Sequence, residues 1–414
     1  MNKGTSTINI ERLMDTIEQS AKIGEIPGNG LRRLALSEED RQMRNFFQLW
    51  MEEAGLQVRI DDFGNMYGRR KGRTDKRPVV IGSHLDTQPA GGRFDGVLGI
   101  LSALEVVRTL NDKKLETERP VEIVNFTNEE GARFAPSMMG SGGMTGAYEK
   151  AEIYKKKDRN GKTFEAELEW IGYKGKLENR LQDIHSFVEL HIEQGPFLEK
   201  ESTSIGVVTG IFGSAWLKVT VSGEADHAGA TPMNMRKDPL NAAAEMILAI
   251  EQNGTEHGGV ATVGSISVSP DSINSIPGEV FFTIDLRHLE DKVKERALER
   301  MKTNMETIAL NRGVSLDIKD IEKVEGNKFH PQIIELMEDS ARDLGCSFKQ
   351  LPSGAGHDAR FMSDMAPTGM IFVPSVNGKS HVESELTMDE DIEKGVNVLF
   401  ETVCRLANMD KDLN

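Results

Sequence analysis

The chain has 414 residues, too many for one small core, so two domains are expected. Its formal net charge of −16 argues against a nucleic-acid partner, which needs a basic surface. No apolar run approaches the ~20 residues that span a bilayer, and the first residues lack the apolar core of an export signal. The two cysteines, Cys346 and Cys404, are too few for a disulfide framework and read as reduced core residues of a cytoplasmic protein.

Apolar positions recur with helical spacing over 8–23. Ser37-Glu38-Glu39-Asp40 reads as the capped, acidic start of a second helix that runs to about 54. Residues 56–60 alternate as a strand, with 65–68 as its partner. Pro78-Val79-Val80-Ile81 is a short β-branched run and reads as a buried strand. It opens into Gly82-Ser83-His84-Leu85-Asp86-Thr87 and, past a Gly-Gly turn, Phe94-Asp95-Gly96. Helical spacing then holds from 96 to 110, and 121–126 is the next buried strand, which implies a parallel strand–helix–strand unit. That second strand ends in Thr127-Asn128-Glu129-Glu130-Gly131. Residues 149–185 are charged and helical in character, an elaboration on the sheet. The run Phe187-Val188-Glu189-Leu190-His191 repeats the pattern of apolar strand followed by polar residues and glycine.

Composition changes near Gly213. Residues 216–221 alternate as a strand, 225–232 form a polar turn, and 239–252 a helix. Strands at 259–268 and 278–287, a helix over 289–312 and a strand at 314–318 complete a compact α+β insert. The α/β pattern then returns, with a helix at 331–344, a Gly-rich turn at 353–358, a strand at 369–373, Gly378-Lys379-Ser380-His381, and a last helix over 389–407.

Histidines and carboxylates thus follow four apolar strands: His84 with Asp95, Glu129 with Glu130, His191, and His381. In a parallel sheet the carboxyl ends of the strands share one edge, so these residues can converge. They suffice for two metal ions, with a histidine on each, further carboxylate or histidine ligands and one bridging carboxylate. Glu129 and Glu130 are neighbours in an extended chain, point opposite ways, and so have different jobs. A free carboxylate beside two metals would take a proton from water and pass it to a leaving nitrogen. The chemistry read from these parts is metal-assisted hydrolysis of an amide-like bond. No Gly-x-Ser-x-Gly elbow supports a serine nucleophile, and Gly140-Ser141-Gly142-Gly143 lacks the Gly-Lys-Ser/Thr ending of a phosphate loop. Alone, His227 reads as a polar residue at a helix start and Arg287 as a strand arginine in a surface pair.

With these pieces in place, the chain resembles the dinuclear-zinc amidohydrolases of the aminoacylase/carboxypeptidase superfamily, and among them the N-carbamoyl-L-amino acid hydrolases, β-ureidopropionases and allantoate amidohydrolases. The stretches that carry the resemblance are GSHLDTQPAGGRFDG (82–96), NEEGARF (128–134), ELHIEQGP (189–196), DHAGATPM (226–233), SGAGHDA (353–359) and MIFVPS with NGKSH (370–381). The resemblance implies an α/β, zinc-peptidase-like catalytic domain with a mainly parallel sheet (1–212 and 330–414). It also implies an inserted α+β, ferredoxin-like lid and dimerisation domain (213–329). It implies two divalent ions per subunit, zinc first, with manganese, cobalt or nickel as alternatives. His84, Asp95 and His191 would hold one ion, and Asp95, Glu130 and His381 the other, with Asp95 bridging. Glu129 would be the general base and Asp86 would orient His84. His227 would stabilise the oxyanion. Asn274 and Arg287 would grip the substrate carboxylate. Gln194 and His357 would bind the carbamoyl group, with the backbone of Gly354, Ala355 and Gly356 near the carboxylate. The implied substrate is a small ureido or carbamoyl acid, and the implied assembly is a homodimer formed through the lid.

One departure concerns specificity. The group commonly has Ser-His-Ser-Pro at its last ligand, whereas this chain has Ser380-His381-Val382-Glu383. Thr87-Gln88-Pro89 leans toward the carbamoylase and β-ureidopropionase side rather than the allantoate side. A dipeptidase, an aminoacylase and a non-catalytic carboxylate-binding protein are the remaining readings. His185, His257, His288 and His330 match no motif and read as structural or surface residues.

Overall fold

The computed structural model describes residues 7–413. The chain forms two compact units, one from residues up to Thr209 and from Phe329 onward, the other Gly210–Lys328.

The first unit is built on a mixed sheet. At its centre run four parallel strands, in the order Val121–Phe126, Val79–His84, Ser186–Ile192 and Thr368–Val373. All four are buried along their whole length, as expected of strands covered on both faces. Met66–Arg70 and Gln57–Ile60 extend the sheet antiparallel on one side, and Ile205–Ile211 does so on the other. The helix Val97–Asp112 packs on the central strands, with Ile10–Ala21 and Asp389–Ala407 against it. Ser37 caps the helix Glu38–Glu53, its side chain accepting from the Asp40 amide. The charged stretch after residue 149 resolves into three short helical segments, Lys150–Tyr154, Phe164–Trp170 and Leu177–Asn179.

The second unit is a four-stranded antiparallel sheet, in the order Val260–Ser269, Glu279–His288, Gly213–Ser222 and Ser315–Val324. Burial alternates along Gly213–Ser222 and Glu279–His288, so one face is core and the other is not. The core face carries Leu217, Val219, Phe282 and Ile284, which pack against Met246, Met301 and Met305 of the helices Pro239–Glu256 and Asp291–Arg312. Asp238 caps the first of these helices, with Pro239 in its first turn. The polar turn expected at 225–232 contains a two-residue strand, Asp226–His227, paired with Ser275–Ile276. The two chain ends of the second unit pair with each other, Asn327 and Lys328 lying antiparallel to Ile211 and Gly210. Among the described residues no helix is long and apolar enough to cross a membrane.

Candidate metal centre

The four parallel strands end along one edge, and the loops that follow them carry the site. His84 is the last residue of its strand. Its Nδ1 lies 2.9 Å from the Asp86 carbonyl oxygen, so Nδ1 carries the proton and the Nε2 lone pair faces the site. Asp86 thus holds His84 through its backbone, since its carboxylate is 3.9 Å from Nδ1. That carboxylate instead accepts from the amides of Glu129 and Glu130, both at 3.2 Å, and so fixes the neighbouring strand end. Gly96 begins the next helix at φ +68°, and a Cβ there would meet the His84 ring at 2.2 Å. Close approach of this turn to the imidazole therefore requires glycine.

Asp95 sits between three histidines. Its Oδ1 is 3.1 Å from His191 Nε2 and 3.9 Å from His84 Nε2, while its Oδ2 is 3.1 Å from His381 Nε2. His191 is oriented as His84 is, with Nδ1 2.9 Å from a backbone carbonyl, that of Ile192. Glu130 lies 3.5 Å from His381 Nε2 and accepts from Gln88 Nε2 at 2.6 Å. Two groups of donor atoms result, His84 with Asp95 and His191, and Asp95 with Glu130 and His381, each with all its atoms within 4.8 Å of one another. Asp95 belongs to both and offers one oxygen to each side. Glu129 belongs to neither; its Oε2 is 3.6 Å from His84 Nε2.

The electrostatics call for positive charge. Burial pushes Glu129 and Glu130 well above the usual carboxylate range, and the surrounding carboxylates add to it. Burial, with help from Asp40, raises Asp86 to about 7. Burial works against a charged Asp95, yet hydrogen bonds from His191 and His381 hold it well below its ordinary value. Burial likewise disfavours a charged His191, but Asp95 outweighs it and raises the imidazole to about 9. His84, without so close a partner, is pushed down to about 4 by burial. A largely buried set of carboxylates and imidazole nitrogens, aimed inward and sharing one aspartate, fits a pair of divalent cations, which would relieve the repulsion among the acids.

The other expected residues of this unit lie close by. Gln194 donates to Asp95 Oδ2 at 2.9 Å, while no donor among the described residues meets its buried Oε1. The His357 ring is 4.5 Å from that of His191, and its Nε2 is 2.9 Å from Ser353 Oγ. Ser353 also bonds both backbone groups of Ala355, ordering the turn that contains Gly354 and Gly356. An open cavity of about 440 Å³ beside His381 is lined by Gln194, Ala355, Lys379 and Val382 among others. His227, Asn274 and Arg287 belong to the Gly210–Lys328 unit. There the Ala228 amide donates to the Asn274 carbonyl at 3.0 Å, which places His227 and Asn274 on adjoining segments. Exposed His227 accepts the Gly229 and Ala230 amides on Nδ1, which leaves Nε2 as a donor. Arg287 is engaged by Asp285 through Nε and Nη2.

Two buried acids escaped the sequence reading. Glu189 accepts from Ser83 Oγ at 2.7 Å and joins His191 and His357 in a third group of possible ligands. It precedes His191 by two residues in a strand, so side-chain alternation alone places it on the same face. Glu385 bonds the backbone at Asp95, and its sequence surroundings carry no comparable signal.

A parallel α/β core with two carboxylate-linked donor groups at its strand ends, and a separate antiparallel unit, defines a metallohydrolase of zinc-peptidase-like fold. Residues 80–405 match the model of peptidase family M20/M25/M40. The N-carbamoyl-L-amino-acid amidohydrolase of Rhizobium meliloti is 42% identical over 97% of both chains. A ureidoglycolate hydrolase of Oryza sativa subsp. japonica is 37% identical over 97% of this chain and 85% of that one. The crystal structure of a hydantoinase/carbamoylase family amidase from Burkholderia multivorans matches with a TM-score of 0.95 and 42% identity, over 97% of this chain and 99% of that one. The chain belongs to peptidase family M20/M25/M40 and, within it, to the hydantoinase/carbamoylase amidases, hydrolases of C–N bonds.

Proposed function

We propose that this protein is a metal-dependent amidohydrolase of N-carbamoyl-L-amino acids or N-carbamoyl-β-alanine, converting them with one water to amino acid, CO₂ and ammonia. The observation that carries the reading is the pair of donor groups joined by Asp95, with the unshared Glu129 carboxylate beside them. His84, Asp95 and His191 hold one divalent ion, and Asp95, Glu130 and His381 the second; zinc suits the set, and manganese, cobalt or nickel are alternatives. Such ions, when bound, supply Lewis acidity toward a carbonyl and toward water.

The chain's own groups do the rest. Glu129 takes a proton from the attacking water and delivers it to the leaving nitrogen. Its neighbour Asp86 keeps the Glu129 backbone in place through the amide at 3.2 Å. Gln194 Oε1 is a buried acceptor suited to a ureido N–H, with His357 beside it. The backbone of Gly354, Ala355 and Gly356 receives the carboxylate end. His227 donates from Nε2 to the developing oxyanion, and Asn274 and Arg287 grip the substrate carboxylate, Arg287 exchanging Asp285 for it. These three act on the neighbouring subunit of a homodimer formed through Gly210–Lys328. The setting is cytoplasmic, in keeping with two free thiols.

The ureidoglycolate hydrolase relative favours a second reading, a related ureido acid as substrate. One ammonia-release assay with added metal, comparing N-carbamoyl-alanine, N-carbamoyl-β-alanine, allantoate and ureidoglycolate, separates these, and cleavage of a dipeptide, which releases no ammonia, is followed alongside by the free amino acids formed. N-carbamoyl-alanine or N-carbamoyl-β-alanine is expected to give the highest kcat/KM. Turnover that survives exhaustive metal removal would overturn the mechanism, and no turnover on any substrate would favour a binding protein.

A further inference from the structure

The ligand groups proposed above sit on loops far apart in sequence, and one buried acid ties two of those loops together. Glu385 lies between the strand Thr368–Val373 and the helix Asp389–Ala407 and is only 4% exposed. Its Oε1 accepts from the Phe94 amide at 3.1 Å and the Asp95 amide at 3.0 Å. Its Oε2 is 2.9 Å from the hydroxyl of Ser380, the residue before His381. Ser380 Oγ in turn lies 3.1 Å from Asp95 Oδ2, across 285 positions of sequence. The carboxylate also rests directly on the loop it binds: a Cβ at Gly92 would come 2.2 Å from Glu385 Oε1 and 2.4 Å from its Cβ.

Support matters most for His381. The buried side chains of His84 and His191 each have Nδ1 on a backbone carbonyl, whereas the His381 side chain is 49% exposed. Its backbone is also left-handed, at φ +60°, a conformation that costs free energy in a residue with a side chain. The 380–385 turn is closed by the Glu385 amide donating to the Val382 carbonyl at 3.1 Å, so Glu385 anchors this turn by backbone and side chain alike.

We infer that Glu385 is a positioning residue: its carboxylate clamps the Asp95 loop to the His381 loop and sets the geometry of the Asp95, Glu130 and His381 donors. The inference rests on the two-ion reading and adds to it a residue that touches neither ion. Its effect falls mainly on that site, because the shared Asp95 is the one ligand of the other site that it touches, and His84 and His191 are oriented independently.

Calorimetric titration of the metal-free chain with Zn²⁺ tests this, with the thermal midpoint of the metal-free protein measured in parallel. Wild type is expected to bind two ions. Glu385→Ala is expected to leave the first affinity within about threefold and to weaken the second by about 10–100-fold. Glu385→Gln keeps an oxygen for the two amides and turns its NH₂ toward the Ser380 hydroxyl, and so binds both ions nearly as wild type does. Ser380→Ala cuts one arm of the clamp and repeats the selective weakening, which covers the case in which Glu385→Ala does not fold. Both alanine variants binding two ions as tightly as wild type, with only a lower midpoint, would overturn the clamp. So would a Glu385→Gln variant as weak as Glu385→Ala. A wild-type chain that binds no divalent ion would instead remove the two-ion reading itself.

Discussion

The two units present their chemistry in opposite ways. In the sheet unit His84, Asp95 and His191 are buried, bonded to one another or to backbone carbonyls. In the Gly210–Lys328 unit His227 and Asn274 are exposed and Arg287 is partly so, and the side-chain hydrogen bonds His227–Ala230, Asn274–Ser272 and Arg287–Asp285 each stay within three residues in sequence. A buried cluster is assembled by the whole fold, so losing one member leaves charges without partners. An exposed group shaped by its own turn can be removed with little effect on the rest. The contrast predicts that variants in the first unit change ion binding or the chemical step, while those in the second leave ion binding unchanged and change only turnover or substrate affinity.

The largest effect is expected for Asp95→Ala, which removes the shared carboxylate. Activity should fall below detection and ion stoichiometry should drop, as elemental analysis would record. Full occupancy in this variant would mean the two groups do not share a ligand. Glu129→Gln should lower kcat by about 10²–10⁴-fold with both ions retained. Retained turnover would place the base elsewhere. His227→Ala should cost about 10²–10³-fold in kcat, again with unchanged ion affinity, and altered ion binding would blur the division between the units. Arg287→Ala is expected to have the smallest effect, about 10–150-fold in kcat/KM, for the loss of a charge-assisted pair with substrate. Mixing Arg287→Ala with Glu129→Gln subunits sharpens the comparison further: recovered activity means the residue serves a neighbouring chain, and none means each site is built from one chain.

Much of the framework was legible because its signals are local. β-Branched runs at 79–81 and 121–124 become central strands, the helical spacing after Gly96 becomes the helix Val97–Asp112, and the acidic start at Ser37 becomes a capped helix. Elements at the margins were not. The strand Phe348–Ser353 includes Pro352 and pairs with one neighbour, an edge position where proline is tolerated and the apolar pattern is weak. The strand Ile205–Ile211 is interrupted by Gly206 and Gly210, which weaken its β signature. The paired dipeptides Asp226–His227 and Ser275–Ile276 are too short for periodicity to show.

By itself the sequence determined that histidines and carboxylates follow successive buried strands, because hydrophobic runs and the residues that end them are adjacent in the chain. Only the tertiary structure decided how those residues are held. Asp86 acts on His84 through a carbonyl while its carboxylate caps the next strand end, Glu189 lies under His191 on Ser83, and Glu385 joins two loops. Each of these contacts depends on which oxygen faces which distant amide or hydroxyl. That orientation is set by packing across hundreds of residues, and no local pattern of side chains encodes it.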